Sequence, residues 1–337
     1  MRRCLELASR GAGFVAPNPM VGAVLVAEGK IIGEGFHEKY GEAHAEVNAV
    51  RSVAAEKKHL IESATLYVNL EPCNHFGKTP PCTKLIVENK IKKVVIGTAD
   101  PNVLVNGSGI KTLRDAGIDV VCGLLEEENK LLNRFFFTYH EKKRPYITIK
   151  WAQSTDGFIA GEGNTPVHLT NSFSDHLVQK MRAEHMAIYV GGRTLLADDP
   201  RLTNRSGRGA NPLRITLDTK NNFPKNLSVF NSEAATLVFN FEKNALFKTT
   251  EYIKIEGGKN VYEQIMQILF YRKINSILVE GGAETINTLV QLGLWDEMKI
   301  FTTKNKLQKG ILAPGIAGKE MNKEYVSDNI INTRINL

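Results

Sequence analysis

Short apolar runs alternate with stretches of helical period along the whole chain, and that alternation predicts α/β layering from end to end. The opening segment from Arg2 to Arg10 has helical spacing, GAVLVAEGKIIGEGF reads as two strands turning at Glu28-Gly29, and HAEVNAVRSVAAEK reads as a helix. ATLYVNL, KKVVIGTAD and IDVVCGL are strand-like, with helical CTKLIVENK and IKTLRDAG between them. Together these segments complete one α/β/α domain.

LEEENKLLNRFFFTYHEKKRPY predicts a helix running into a charged connection that stops at Pro145, because the residue before a proline disfavours helical backbone. A second series follows. YITIKWAQS, MAIYVGG, LRITLDT, ATLVFN, INSILVEGG and MKIFTT are its strands, and SFSDHLVQKMRAEH and AETINTLVQLGLW are helices between them. The halves share no visible repeat. A chain of 337 residues exceeds the usual single domain, so the proline marks a boundary between domains 1–144 and 145–337.

Composition adds limits. Charges of both signs are interspersed, and no apolar run approaches the roughly 18 residues that span a bilayer. The apolar start is broken by Glu6, Ser9 and Arg10, so it does not form the apolar core of a secretory signal. A cytoplasmic chain with no membrane partner is expected. Its net charge of +7 is spread out rather than gathered on one arm, which favours a small phosphate-bearing substrate over nucleic acid. Four cysteines in so long a chain argue against a disulfide framework and for metal or catalytic use. Cys4 and Cys122 read as buried small hydrophobes.

The chemistry concentrates in EPCNHFGKTPPC, from Glu71 to Cys82. Catalytic zinc takes three protein ligands and keeps one open position. Cys73 and Cys82 supply two thiolates, each near a possible helix start whose N–H groups favour the anion. His44, opening the HAEVNAV segment, is the best third ligand, with His75 the nearby rival for a fourth. Glu46, two residues after His44, is left free to move protons. This is the H-x-E then P-C…C arrangement of zinc deaminases, in which the metal lowers its water's pKa toward about 7 and a ring amine leaves as ammonia. Two residues separate the cysteines in the general pattern, whereas NHFGKTPP intervenes here.

That spacing, with PNPMVG from Pro17, HEKYGEAHAE from His37, LEPCNHFGKTPPC and DPNVLVNGSGI, resembles the deaminase half of the bifunctional riboflavin-biosynthesis deaminase/reductases. The resemblance implies a cytidine-deaminase-like α/β/α fold and a diaminopyrimidinone substrate carrying a phosphoribosylamino group. It places His75 and Lys78 at the ribose phosphate, and Asn18, His37, Asp100 and Asn102 around the ring and sugar.

In the second half, SILVEGGAETINTLV and MAIYVGGRTLLADDPRLTNR each put a glycine pair at a strand-to-helix turn, where backbone can approach a phosphate. KWAQSTDGFIA, GGRTLLADDPRLTNR and VEGGAETINTLV resemble the reductase half of the same family, a dihydrofolate-reductase-like α/β domain that uses NADPH to reduce ribosyl to ribityl. Carried onto matching positions, Ala152, His168, Thr194, Asp198, Thr219 and the run Gly282, Ala283, Glu284, Thr285, Ile286, Asn287 and Thr288 line the NADPH site. Pro166, Arg182, Leu202, Arg205 and Glu280 line the substrate site. The family often has tryptophan where His168 stands and serine where Pro166 stands, and it tends to form homo-oligomers.

Two rivals are a nucleic-acid base deaminase with an appended domain and a zinc-stapled binding protein without catalysis. The first needs a basic groove that tracks a strand, and no clustered charge supplies one. Single-stranded RNA or DNA titrated against the protein should therefore give no salt-sensitive gel shift; a shift lost on adding salt would restore that rival.

Overall fold

The computed structural model describes residues 1–76, 80–103, 105–162, 167–258 and 260–336. They form two compact units, Met1–Lys143 and Arg144–Leu337. In chain order the first contains α1 (Arg2–Ser9), β1 (Gly22–Ala27), β2 (Lys30–Phe36), α2 (Ala45–Arg51), β3 (Thr65–Leu70), α3 (Cys82–Glu88), β4 (Lys93–Thr98), α4 (Ser108–Asp115), β5 (Asp119–Cys122), α5 (Glu126–Leu132) and α6 (Arg134–Lys142). Its sheet runs in the order β2-β1-β3-β4-β5. The β1–β2 and β1–β3 pairs are antiparallel, and β3–β4 and β4–β5 are parallel. Glu28 and Gly29 both take positive φ (50° and 72°), the turn expected for a two-residue hairpin between Ala27 and Lys30.

Helix α2 lies unusually close to β2, and two glycines allow it. A Cβ on Gly33 would come 2.5 Å from Ala49 O, and one on Gly35 would come 2.5 Å from Ala49 N. Ala45 and Ala49 complete the contact from the helix side, both fully buried in the core with Leu25, Leu66, Val68 and Ile96. The helix is shorter than HAEVNAVRSVAAEK predicts. Ser52 Oγ donates to Ala49 O (2.8 Å) and accepts from Glu34 N (2.8 Å), so its hydroxyl ties the chain back to β2 and ends the helix. The next residues, Ala55–Ser63, form a 3-10 helix instead. The single helix expected through LEEENKLLNRFFF is also divided, between α5 and α6 at Asn133. The Asn133 amide accepts from Met20 N (2.7 Å) and donates to Met20 O (2.9 Å), which fixes the break from 113 residues away. Cys4 is buried as expected, but Cys122 is exposed. β5 is an edge strand on which only Val120 is buried, so the thiol faces outward.

The second unit contains β6 (Tyr146–Gln153), β7 (Phe158–Ala160), α7 (Ser172–Glu184), β8 (Ala187–Tyr189), α8 (Gly192–Asp198), β9 (Leu213–Leu217), β10 (Thr236–Asn240), β11 (Ala245–Phe247), β12 (Thr250–Lys254), α9 (Val261–Tyr271), β13 (Ser276–Val279), α10 (Ala283–Gln291), β14 (Glu297–Thr302), β15 (Ile311–Leu312), β16 (Lys319–Val326) and β17 (Asn329–Ile335). Among the described residues its main sheet has ten strands, ordered β11-β12-β10-β9-β8-β13-β6-β14-β17-β16. The middle is parallel and both edges are antiparallel. Strand alternation splits its apolar residues between two cores. Ile147, Tyr189 and Val279 face one side, Ile188, Val190 and Leu278 the other.

Closing the gap above Gly35 should disturb the helix that carries His44 and Glu46. Gly35→Ala is expected to destabilise the first unit by about 2 kcal/mol, since the new methyl meets backbone that cannot swing aside. Urea unfolding checks this, and an unchanged midpoint would contradict the close packing.

Candidate active sites

In the first unit the chemistry gathers at the carboxyl ends of β3 and β4, where open α/β sheets bind ligands. His44 is the N-cap residue of α2, Cys73 lies in the loop after β3, and Cys82 is the first residue of α3. His44 Nδ1 stands 3.5 Å from Cys73 Sγ and 3.3 Å from Cys82 Sγ. The three ligand atoms lie within 4.8 Å of one another, a convergent nitrogen and sulfur set of the kind that zinc prefers. His75 stands outside that cluster, exposed on the cavity wall.

The two thiols are shifted in opposite directions, and Cys82 is raised well above the ordinary thiol range by its hydrogen bond to Cys73 and by burial. Cys73 is pushed down to about 4 by a hydrogen bond from Cys82, helped by His44, so the loop thiol rests as thiolate. The Cys82 backbone N–H also donates to Cys73 Sγ (3.4 Å). Glu46 is buried in the first turn of α2. Burial first, then the negative Cys73, raises its carboxyl above the ordinary range, which suits a group that must take and return a proton.

A cavity of about 240 Å³ opens onto these groups, and Asn18, His37, His75, Asp100 and Asn102 all line it. His37 is buried, and burial lowers its pKa, so the ring is neutral at pH 7. Its Nδ1 lies 3.0 Å from Ala43 O and must therefore carry the hydrogen; Nε2 then accepts from Asn18 Nδ2 (3.2 Å). The His37 ring meets the His44 ring edge-on, centroids 5.5 Å apart. Asp100 is pushed up to about 7, mainly by burial. Lys78 lies outside the described residues. Tyr40 and Phe136 line the cavity as well, and nothing in the sequence pattern singled them out. Glu71 lines the cavity too, and its carboxylate, which no motif marks, takes four backbone hydrogen bonds.

In the second unit the two glycine pairs meet. β8 and β13 are neighbours, and each runs into a helix whose N-cap is a glycine, Gly191 for α8 and Gly282 for α10. A Cβ on Gly281 would come 2.9 Å from Gly191 N, and one on Gly191 would come 2.5 Å from Thr285 Oγ1. Only glycine lets these turns approach, and the result is two helix N-termini side by side, a site chemically fit for a dinucleotide phosphate. Thr194 braces it, its Oγ1 accepting from Gly282 N (2.9 Å).

The other expected cofactor residues are scattered in exposure. Thr219 and Asp198 are exposed at the ends of β9 and α8, and Ala152 is half-buried on β6. Glu284 is exposed and paired with Arg193 (2.8 Å). Asn287 accepts from Gly315 N (3.1 Å), Thr288 bonds Glu284 O (2.9 Å), and Ile286 is fully buried in the core, so its side chain faces away from any ligand. His168 is exposed beside Asp175 (3.2 Å). Pro166 lies outside the described residues.

Among the expected substrate residues, Arg182 and Glu280 form one largely buried pair, with guanidinium-to-carboxylate distances of 3.0 and 2.6 Å. Burial opposes the ionised Glu280, but the charge of Arg182 outweighs it and holds the carboxyl below its usual range. Lys150, overlooked in the KWAQS segment, shares that field, and burial lowers its ammonium pKa. Leu202 is buried in the core with φ of 53°, and Arg205 is exposed.

A family model described as the cytidine and deoxycytidylate deaminase zinc-binding region matches residues 1–98, and the RibD C-terminal domain matches residues 145–304. The riboflavin biosynthesis protein RibD of Aquifex aeolicus is 41% identical over 320 residues, covering 92% of this chain and 88% of that protein. The RibD of Escherichia coli is 35% identical over 319 residues, covering 89% and 86%. A crystal structure from Thermotoga maritima, a diaminohydroxyphosphoribosylaminopyrimidine deaminase/5-amino-6-(5-phosphoribosylamino)uracil reductase, superposes with a TM-score of 0.90 at 39% identity, covering 100% of this chain and 97% of that one.

The Asp100 carboxyl gives a pH test. Its pKa is raised from 3.8 to about 7, so its ionisation opposes folding; the penalty grows as pH rises from about 4 and is full above about 7. Asp100→Asn removes it, and should be more stable than the wild type by about 2 to 4 kcal/mol at pH 8, with a clearly smaller gain at pH 5. Denaturation at the two pH values decides; equal gains would refute the shift.

Proposed function

The chain belongs to the RibD family of riboflavin-biosynthesis deaminase/reductases, and on that premise we propose which residues carry each of its two reactions. The protein is a zinc-dependent deaminase joined to an NADPH-dependent reductase. We assign deamination of 2,5-diamino-6-(5-phosphoribosylamino)pyrimidin-4(3H)-one to residues 1–144, and reduction of the ribosyl group of 5-amino-6-(5-phosphoribosylamino)uracil to residues 145–337.

The convergence of His44, Cys73 and Cys82 beside the buried Glu46 carries the deaminase assignment. His44 Nδ1 and the two thiolates hold zinc, which when bound supplies the Lewis acidity that makes water a nucleophile near neutral pH. Glu46 takes a proton from the attacking water and returns it to the departing amine, so that water and substrate become ring carbonyl and ammonia. Asn18, His37, Asp100 and Asn102 orient the ring and sugar, and His75 with Lys78 meets the phosphate.

On the reductase side, the glycine turns Gly191-Gly192 and Gly281-Gly282, with Thr194, Thr219, Asp198, Ala152, His168 and residues 283–288, of which Ile286 offers only its backbone, hold NADPH, whose nicotinamide supplies the hydride. Arg182, Glu280, Leu202, Arg205 and Pro166 hold the substrate. Reduction also needs a proton at the sugar oxygen. Lys150 is the member of the buried charge cluster readiest to release one, because burial disfavours its ammonium. A cytoplasmic location and self-association complete the proposal, the first in keeping with the absence, among the described residues, of any helix long and apolar enough to cross a membrane.

Glu46→Gln tests the deaminase assignment. Ammonia release should fall by at least about 100-fold, the usual share of a general acid–base group, while zinc content and NADPH oxidation on deaminated substrate stay at wild-type levels. Undiminished ammonia release would remove Glu46 from the mechanism.

A further inference from the structure

We propose that Glu71 is a positioning residue for deamination, a buried carboxylate that fixes the substrate-orienting loop relative to the metal loop. The inference rests on the deaminase assignment above and adds to it a residue that touches no reacting atom.

Glu71 closes β3 against β4 through its own N–H, which donates to Thr98 O (3.0 Å). Its side chain then reaches across to the segment that follows β4. Oε2 accepts from Asp100 N (3.1 Å) and Gly107 N (2.9 Å), and Oε1 accepts from Gly109 N (2.9 Å) and Ile110 N (3.1 Å). A carboxylate offers about four acceptor sites and no donor, so these four bonds use its full capacity. They take up backbone donors at the start of α4, where a negative charge is also favoured by the helix dipole.

The position of Glu71 in the chain gives these bonds their meaning. Cys73 follows two residues later, and Asn74 anchors the other side: its Nδ2 donates to Thr112 Oγ1 on α4 (2.9 Å), and its Oδ1 accepts from Thr83 Oγ1 on α3 (2.9 Å). The metal loop is thus pinned on both sides of its ligand to the segment that presents Asp100 and Asn102 to the cavity. Fit is close as well as polar. A Cβ on Gly109 would lie 2.1 Å from Pro72 O, so only glycine lets α4 come this near. The distance between the metal ligand and the two groups that orient substrate is therefore set through Glu71.

Loss of the carboxylate should release the substrate wall and leave the ligands in place. Glu71→Gln turns an amide N–H2 toward backbone N–H groups, so at least one donor loses its partner and the loop must shift. A displacement of about 1 Å costs on the order of 100-fold in a positioned reaction. The expected result is a deamination kcat/KM lowered about 100-fold, with KM itself raised at least about 10-fold and zinc content and NADPH oxidation on deaminated substrate unchanged. A purely structural role would instead reduce the amount of active enzyme, lowering the maximal rate at unchanged KM, and that outcome overturns the proposal.

Should Glu71→Gln fail to fold, Gly109→Ala pushes the same loop away from Pro72 while keeping the carboxylate, and the same rise in KM is expected; a wild-type KM there is equally fatal. Wild-type protein that releases no ammonia from the pyrimidine would refute the deaminase assignment itself, independently of Glu71.

Discussion

Four backbone N–H groups converging on the Glu71 carboxylate are the interaction around which the first unit's site is assembled. A buried carboxylate left short of partners is costly, so the loop after β4 has little freedom once Glu71 is placed. Helix α2 is held by a different means. Gly33 and Gly35 remove the side chains that would keep it off β2, and the helix then delivers His44 and Glu46 to the same end of the sheet. Polar saturation on one side and backbone-to-helix packing on the other bring the three metal-ligating atoms together.

The second unit reaches a comparable end by glycine alone. Its two strand-to-helix turns come from adjacent parallel strands, and each lacks the side chain that would hold the other away. Beside them the Arg182–Glu280 pair is satisfied internally. A substrate phosphate approaching Arg182 therefore meets a cation already shared with a carboxylate, which tempers its pull.

Much of this was legible in the chain. The alternation of strand and helix gave β1 to β5 and the strands β6, β8, β9, β10, β13 and β14, most of which carry a run of buried apolar residues. The resemblance to a known family, rather than any period or spacing, named Asn18, His37, His75, Asp100 and Asn102, and all five line one cavity. What escaped notice depended on partners distant in sequence. Ser52 ends α2 by bonding to β2, Asn133 breaks a helix through Met20, and Glu71 looks like one more polar residue until Asp100 to Ile110 folds over it. The β16–β17 hairpin was invisible for another reason: β16 is almost wholly exposed, so no apolar period marks it.

The neutral ring of His37 has a consequence for what the cavity accepts. Because Nδ1 donates to Ala43 O, Nε2 is an acceptor, and that turns the amino end of the Asn18 amide toward the histidine. The amide's oxygen is thereby directed elsewhere, giving the cavity wall a fixed polarity two hydrogen bonds removed from the backbone carbonyl that sets it. An N–H or an amino group complements an amide oxygen, whereas a carbonyl is repelled by it. The polarity of the Asn18 amide thus begins at the carbonyl of Ala43, one imidazole ring away.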